Sequence, residues 1–423
     1  MIVKSAPWSN PWRVACLVAG AALSCGVIAQ PNANSSRELA RASSSSPTIA
    51  EALEAAWQRS FELAESAGRR RQAEAGQRVA GTWLAASPTV EALQREGRGS
   101  AAEGVRETEL GIALPLWRRG QRQQNALAAD ADSAWAEAAD RAARLHLLAQ
   151  VREQSSLLRL ADLDLQLASR QRESLEQLSA DVDRRVRAGD LAAIDAMNAK
   201  ADLLSARARE QEAQLSQVAQ LAAWTLLTGL TQPPAAESSF SESAPSVDQH
   251  VEVVLADLAL QRASARVAQV QAQRGGLPEV GVGVRQDRSG PGQPRQNSVA
   301  LSLRLPLGSD AHNSPRLAAA LAAEDQARAN QQRIRRQVES ELAMARARLA
   351  ASQTQAEAQT ERAALHRERT RLLARSFQAG ESSLPDLLRA LASTAEADAA
   401  AARQQASVAH ARSRVQQALG QLP

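Results

Sequence analysis

Two long runs without proline or glycine constrain the fold of this chain more than any other feature of its sequence. The first run extends from Gln121 to Ala188 and the second from Arg316 to Ala379. Each is long enough for a helix of roughly 65–70 residues, which at about 1.5 Å per residue would measure about 100 Å. Apolar side chains recur in the first run at helical spacing, as at Leu175, Leu178 and Val182. The runs therefore predict two long helices that pack against other helices as in coiled coils.

An internal duplication with a constant offset of 191 residues divides the chain into two similar halves. Four landmarks keep this offset: Leu114-Pro115-Leu116 with Leu305-Pro306-Leu307, Ala188-Gly189-Asp190 with Ala379-Gly380-Glu381, Asp195 with Asp386, and Gly229 with Gly420. Self-similarity at a fixed offset indicates two copies of one structural unit. We predict a first repeat at residues 48–230, a proline- and serine-rich joint at 231–246, and a second repeat at 247–423.

Each repeat is predicted to contain two shorter helices beside its long helix. One precedes the long helix, at about residues 48–80 and 247–274, and the other follows it and ends near Gly229 or Gly420. The two shorter helices together are about as long as the long one. We therefore expect them to lie end to end alongside it.

Short polar segments are predicted to begin and end the long helices. In both repeats an Ala-Gly turn, at about residues 187–192 and 378–384, reverses the chain where the long helix ends. Asn313 and Ser314 are predicted to cap the second long helix, with Pro315 as its first helical residue.

The only stretches with a period of two lie between the first short helix and the long helix of each repeat, and they predict one hairpin per repeat. The hairpins span about residues 87–116 and 278–307. In QNSVALSLRLPL, for example, Val299, Leu301 and Leu303 alternate with small or polar residues. Strands of about ten residues have the length that a tilted strand needs to cross a bilayer. The alternative is a small soluble hairpin, which would more often place aromatic residues on its core face.

The composition excludes several classes of function. The chain has no Tyr and only three Phe, and its net charge is +4. The sequence contains no basic patch interleaved with aromatic residues, so we predict no nucleic-acid partner. No nucleophile–base constellation or phosphate-binding loop is present, so we predict no enzyme and no cofactor. We predict no metal site, because the histidines are scattered and none is paired at helical spacing: His146, His250, His312, His366 and His410.

The N-terminus has the pattern of a secretory signal peptide at residues 1–29, followed by a flexible segment at 30–47. Lys4 and Arg13 flank an apolar run that is short for a membrane span. An uncleaved anchor helix and a lipid-modified Cys25 are the alternatives. No later segment has the roughly 18 apolar residues of a spanning helix. We expect an exported protein that would enter a membrane through its strands.

Four strands cannot close into a barrel, and open strand edges are not tolerated in hydrocarbon, so strands in a membrane would require several chains. The order of helix, hairpin, long helix, Ala-Gly turn and helix, given twice after a predicted signal peptide, resembles that of the TolC-type outer-membrane efflux proteins. The stretches SFQAGESSLPDLLRA and RVRAGDLAAIDAMNA look like the two inner helical turns of that family. The segment AGDLAAIDAMNAKADLLSARA is most similar to the cation-efflux branch of the family, which is typified by CzcC and CusC. The resemblance covers nearly all of the chain after the predicted signal peptide.

The resemblance implies a mainly α fold with a membrane β-barrel portion, built from a duplicated helix–hairpin–long helix–helix unit. A homotrimer would form a 12-stranded barrel in lipid of the cell outer membrane, continued by an α-helical tunnel through the periplasm. A periplasmic adaptor and an inner-membrane pump, expected to be of the RND type, would deliver substrates, with heavy-metal cations suggested by the branch. The alternatives are a periplasmic adaptor, which normally has one helical hairpin, and a structural coiled-coil protein of the envelope.

The resemblance also assigns roles to the two turns. Asp386 matches an acidic position that forms a carboxylate ring at the constriction of the tunnel, and Asp195 is its counterpart in the first repeat. Arg389 stands where some members carry a second acid; it can instead pair with Asp386 or Glu381 and latch the closed tip. A good helix–turn–helix would by itself explain the glycines and serines. The expected adaptor-contact residues are Gly189, Asp190, Gly380, Glu381 and Ser382.

Overall fold

The computed structural model describes residues 46–98, 104–234, 246–307 and 310–423. The predicted signal peptide, nearly all of the predicted flexible segment and most of the predicted joint lie outside the described residues. The described part is mainly helical and contains one four-stranded sheet. The fold thus matches the expected mainly α class.

The same order of elements, one or two short helices, a hairpin, a long helix and a further helix, occurs twice along the chain. The first copy consists of α1 (Ile49–Arg59), α2 (Phe61–Gly81), β1 (Thr89–Glu96), β2 (Val105–Pro115), α3 (Gln121–Ala188) and α4 (Ala193–Thr228). The second begins with a 3-10 turn (Val247–Gln249) and continues with α5 (Val251–Ala272), β3 (Glu279–Ser289), β4 (Gln296–Arg304), α6 (Asp310–Gln378) and α7 (Leu384–Ala418).

The two long helices are close in length, at 68 and 69 residues, but differ in burial. α3 contacts α1, α2, α4, α5 and α7 and buries a stripe of alanine and leucine side chains. α6 contacts α5 and α7. Among the described side chains of α6, the buried hydrophobic ones are only Ala320, Val338, Ala363 and Phe377. Most of α6 is therefore exposed in the single chain.

The predicted first short helix is in fact two helices, separated at Ser60. The backbone of Ser60 is extended, with φ −82° and ψ 151°, and both its N–H and its hydroxyl donate to the Trp57 carbonyl at 3.1 Å. The break lets Trp57 stay in the core, where its side chain is 1% exposed. A capping box starts α1, because the Glu51 N–H donates to Thr48 Oγ1 at 3.2 Å and the Thr48 N–H donates to the Glu51 carboxylate at 2.8 Å.

The predicted cap at the start of the second long helix is wrong. α6 begins at Asp310, and Pro315 lies inside the helix. Proline has no N–H to donate to the Ala311 carbonyl, but the Ser314 hydroxyl donates to that carbonyl at 2.9 Å and satisfies it. The Asn313 side chain is not a cap; its amide donates to the Val270 carbonyl of α5 at 3.4 Å.

The four strands form one antiparallel sheet in the order β1-β2-β3-β4. The central pairing, β2 with β3, joins the hairpins of the two repeats. Both outer edges have no partner strand among the described residues. No helix in the described part of the chain combines the length and the apolar character needed to span a membrane.

The largest apolar cluster packs α1 against α3 and α4. Its buried members are Ala52, Leu53, Ala56, Trp57, Leu145, Leu147, Leu148, Val151, Leu158 and Trp224. The Arg144 guanidinium lies 4.4 Å from the centroid of the Trp57 ring and covers it on one side. Leu422, near the C-terminus, packs on the same cluster. The start of the first repeat and the end of the second therefore share one core.

Replacing Trp57 by alanine is expected to destabilise this core by about 3–5 kcal/mol, because the cavity left behind cannot be filled by neighbouring helices. Phe61→Ala is the matched control, since Phe61 is 75% exposed and its truncation should cost within about 0.5 kcal/mol. Thermal unfolding of the purified protein, followed by helical circular dichroism, measures both. Equal midpoints for the two variants would contradict the assigned core.

Candidate functional site

One face of the sheet is apolar across all four strands and exposed. Paired residues form rows on this face, such as Val90, Ile112, Val282 and Leu301. Their exposed fractions are 69%, 50%, 52% and 78%. The neighbouring row contains Leu110, Val284 and Val299, and all three are also exposed. A soluble protein rarely exposes so continuous an apolar surface, which indicates contact with lipid or protein.

The opposite face of the sheet carries small and charged residues. The row next to Val282 pairs Gly111 with Gly283 and Gly283 with Ala300. A Cβ on Gly283 would lie 3.3 Å from the Leu110 carbonyl oxygen, so the strands approach closely there. Further along this face, Arg285 pairs with Glu107 at 2.9 Å. The sheet therefore has one face suited to hydrocarbon and one suited to water.

The two helical turns at the far end of the long helices have the same backbone geometry. Gly189 and Gly380 adopt left-handed conformations with φ of 87° and 80°. The N–H of each glycine donates to a carbonyl three residues earlier, at 3.1 Å in both turns. The Asp190 and Glu381 N–H groups each donate to a carbonyl five residues earlier, at 2.9 Å in both turns. These paired bonds satisfy helix-end carbonyls and require the positive φ that glycine adopts easily.

The start of α7 places Asp386 in a small polar network. Ser383 is the cap of α7; its hydroxyl accepts from the Asp386 N–H at 3.4 Å and donates to the Asp386 carboxylate at 2.6 Å. Arg389 lies 3.1 Å from the other carboxylate oxygen of Asp386. The Arg389 side chain is 76% exposed and that of Asp386 is 47% exposed. Of the two partners expected for Arg389, the structure pairs it with Asp386.

The first turn lacks this network. Its cap position is occupied by Ala192, which has no side chain to accept a hydrogen bond. Asp195 occupies the position of Asp386, and its N–H donates to the Ala192 carbonyl at 3.0 Å. Asp195 is partly exposed. The two acids therefore occupy equivalent positions with different local partners.

An apolar cluster beneath the turns holds both of them together. It combines residues of α3, α4, α6 and α7: Leu175, Val182, Ala199, Leu203, Ala206, Phe377, Leu384, Leu387 and Leu388. The Arg185 guanidinium lies 5.2 Å from the centroid of the Phe377 ring and so links α3 to α6. Sequence reasoning missed Phe377 and Arg185; with only three Phe in the chain, one placed three residues before Gly380 was the available signal.

An ion-pair ladder joins α3 to α4 above the first turn. Arg207 of α4 donates to Glu176 at 2.7 Å, and Arg172 lies 2.9 Å from Glu210. The hydrogen bond from Arg207 lowers the pKa of the Glu176 carboxyl below its ordinary value. Arg207 is exposed and Glu176 is partly exposed, whereas the Arg172 and Glu210 side chains are only 24% and 19% exposed. Solvent still reaches all four groups, so these ion pairs mainly fix the relative register of the two helices.

The expected adaptor-contact residues lie at the turns. Gly189, Asp190, Gly380 and Glu381 are exposed, whereas Ser382 is partly buried and its hydroxyl donates to the Leu373 carbonyl at 3.3 Å. Within the described ranges, no group of three or more His, Cys, Asp or Glu side chains is arranged to hold a metal ion.

Solved structures with a similar fold are membrane channel proteins. No family model and no curated protein sequence matches this chain. CusC, studied for its folding and transmembrane channel formation, is 17% identical with a TM-score of 0.72, and the match covers 88% of this chain and 92% of CusC. The outer membrane protein VceC from Vibrio cholerae is 19% identical with a TM-score of 0.68, covering 88% and 96%. The outer membrane channel CmeC from Campylobacter jejuni is 16% identical with a TM-score of 0.71, covering 88% and 85%.

The chain has the fold of these outer-membrane channels. The resemblance drawn from the sequence is thereby confirmed at the level of the fold, including its link to CusC-like proteins. The coverage extends along nearly the whole of both chains, so both repeats of this chain have a counterpart in the channel fold.

Ser383→Ala is expected to weaken the start of α7, because it removes the side-chain cap of the helix and one partner of Asp386. The cost should be about 1 kcal/mol, or about fivefold faster amide exchange in the first turn of α7. Ser393→Ala is the matched control, since Ser393 bonds only a carbonyl within the helix interior. Hydrogen exchange with mass spectrometry measures both variants. Unchanged exchange in Ser383→Ala would show that the cap contributes nothing.

Proposed function

We propose that this protein is an outer-membrane channel, a passive exit duct of a tripartite efflux system. A periplasmic adaptor and an inner-membrane pump of the RND type would supply substrate and energy, and the channel itself would catalyse no reaction. The proposal is supported by the shared fold of CusC, VceC and CmeC. The observation that carries it is the sheet, which has one exposed apolar face and two edges without a partner strand in the described part of the chain.

The open edges favour assembly of several copies. In hydrocarbon every strand edge must be paired, so β4 of one copy would pair with β1 of the next. Three copies of the four-stranded sheet would form a 12-stranded barrel in the outer membrane. The helices offer matching surfaces, because α6 is largely exposed and α4 carries exposed apolar side chains along its length: Ile194, Met197, Leu204, Leu215, Val218 and Leu226.

The long helices would continue the barrel as a periplasmic tunnel. Helices of 68 and 69 residues are about 100 Å long, and both turn back at glycines at the end far from the sheet. We place the constriction of the tunnel at this tip, with Asp386, Asp195 and Arg389 as its selectivity residues. The exposed glycines and acids of both turns are the proposed adaptor contacts.

At the tip, three copies of Asp386 near one axis would attract cations. An exposed pair such as Asp386–Arg389 is worth only about 0.2–1 kcal/mol, so a multivalent cation can displace Arg389. The interaction between unit charges a few ångströms apart ranges from about 1 to 4 kcal/mol, depending on the local dielectric. We therefore include heavy-metal cations in the proposed substrate class.

Conductance in planar bilayers tests the channel and the tip together. The purified protein is expected to give discrete, cation-selective steps that trivalent cations block. Asp386→Ala should weaken this block by more than about tenfold, because the carboxylates are lost, while Arg389→Ala should strengthen it a few-fold. Glu65→Ala, which removes a surface carboxylate paired with Arg69 far from the tip, is the matched control.

Different outcomes contradict different parts of the proposal. Steps whose block is the same in wild type and Asp386→Ala would reject the carboxylate role but keep the channel. A protein that is soluble without detergent and never conducts would reject the channel, and an adaptor or a structural envelope protein would then be the better interpretation.

A pair of neighbouring substitutions tests which face of the sheet meets lipid. Leu301→Arg places a charge on the apolar face and should cost about 2–4 kcal/mol near the bilayer midplane. Ala300→Arg places the same charge on the opposite face, where water is expected. The measurement is the fraction of protein that folds into outer membranes and resists urea extraction. Equal losses in both variants would contradict the assignment of faces.

A further inference from the structure

His250 joins the start of α5 to the end of α7. It is the cap residue of α5, and its Nδ1 accepts a hydrogen bond from the Glu252 N–H at 3.2 Å. His250 as a whole is 6% exposed. On its other side it packs against Gly420, where an added Cβ would overlap the imidazole ring. Two chain segments from opposite ends of the second repeat therefore meet on one buried histidine.

The His250 site borders a cavity of about 600 Å³ between α6 and α7. The end of α7 forms part of its wall, with Gln417 and Ala418. Gln417 anchors this end to α3, because its amide donates to the Leu145 carbonyl at 2.8 Å and accepts from Arg152 at 2.8 Å. Beyond Gln417, Leu419 is buried, Gly420 lies against His250, and Leu422 packs on the largest apolar cluster.

We propose that His250 is a pH-operated clip that holds the C-terminal end of the chain on α5 when neutral and releases it when protonated. The geometry requires the neutral ring. A proton on Nδ1 would turn the acceptor of the Glu252 N–H into a donor, so the cap would be lost. It would also place a charge on a ring that is almost fully buried.

The groups around His250 give the direction of the effect. Burial lowers the pKa of His250 below its ordinary value, and it outweighs the attraction of Glu252 and of Glu341 on α6. Arg348 of α6 and Arg414 of α7 are the cationic groups that line the same cavity. The remaining titratable groups at this junction are already partnered: His146 of α3 with Glu252, His410 of α7 with Glu153, and Asp248 with Arg335 of α6.

The sign of the pH dependence follows from this shift. Because the folded pKa of His250 is lower than its unfolded value of about 6.5, the clip contributes full stability above that pH and loses it as the pH falls. The neighbouring pair behaves in the opposite way. His146 lies 2.8 Å from Glu252, and this hydrogen bond raises the pKa of His146, so the pair strengthens in acid. Acid should therefore release the end of α7 while α5 stays attached to α3.

Hydrogen exchange of the full chain at pH 8.0 and pH 5.5, corrected for intrinsic exchange rates, tests the clip. Protection of the C-terminal peptide should fall several-fold in acid; the limit is about tenfold, because a free imidazole has a pKa of about 6.5. In His250→Asn the side chain can still cap α5 but does not titrate, so protection should be independent of pH. His410→Asn, which changes another histidine of the same cavity, should keep the wild-type fall.

Gly420→Ala provides a second, pH-independent test. The added methyl group would displace the His250 ring, and Gly420 has a φ of 69° that alanine adopts poorly. C-terminal protection should already be low at pH 8.0. The proposal is overturned if wild-type protection does not fall in acid, if His250→Asn keeps the fall, or if Gly420→Ala leaves protection at pH 8.0 unchanged.

Discussion

The pairing of β2 with β3 is the interaction on which the rest of the architecture depends. It joins the hairpins of two repeats that are distant in sequence and aligns Leu110 with Val284 and Ile112 with Val282. A lone hairpin would be marginal and would present no wide apolar face. With four strands in register, the apolar rows become continuous, and among the residues that the structure describes only the outer edges of β1 and β4 have no partner strand. Helix α3 follows β2, an inner strand of the sheet, and helix α6 follows β4, an outer strand. The register of the sheet therefore also sets where the two long helices begin.

The two repeats share one order of secondary-structure elements but differ in how deeply those elements are buried. Both long helices end in the same glycine turn, but α3 is central in the chain and α6 lies at its surface. The sheet is equally asymmetric, since one edge is β1 of the first repeat and the other is β4 of the second. Unlike edges on one chain favour a ring in which each copy meets its neighbour head to tail. The duplication thus accounts for the shared geometry of the two turns, and the differences between the repeats provide the unlike surfaces that the proposed ring would require.

The sequence predicted the features that depend on local signals. A period of two predicted one hairpin per repeat, and the Ala-Gly sequences predicted turns at positions where Gly189 and Gly380 adopt φ of 87° and 80°. Features decided by distant contacts were not predicted. The helix is interrupted at Ser60, where the sequence has no proline, and Trp57 just before the break packs in a cluster with side chains of α3 and α4. Pro315 inside α6 is a local exception to the expected cap, and the adjacent Ser314 hydroxyl donates to the Ala311 carbonyl that the proline leaves without a helical partner. At the candidate site, Asp386 could be named in advance, whereas Phe377 beneath it could not, since its partners come from other helices.

The hydrogen bonds of Asp386 bear on how a tip of this kind could select ions. Ser383 holds one carboxylate oxygen at 2.6 Å and so fixes the orientation of the group, while the other oxygen faces only an exposed guanidinium at 3.1 Å. An oriented carboxylate with one weakly held partner can exchange that partner for a cation without rearranging the helix. In the proposed site a cation would take the place of the Arg389 guanidinium beside the Asp386 carboxylate, so the carboxylate would keep a positively charged partner. The apolar cluster below the turns provides the packing that keeps them together. The proposed cation site at Asp386 is therefore separate from the side chains that stabilise the turns.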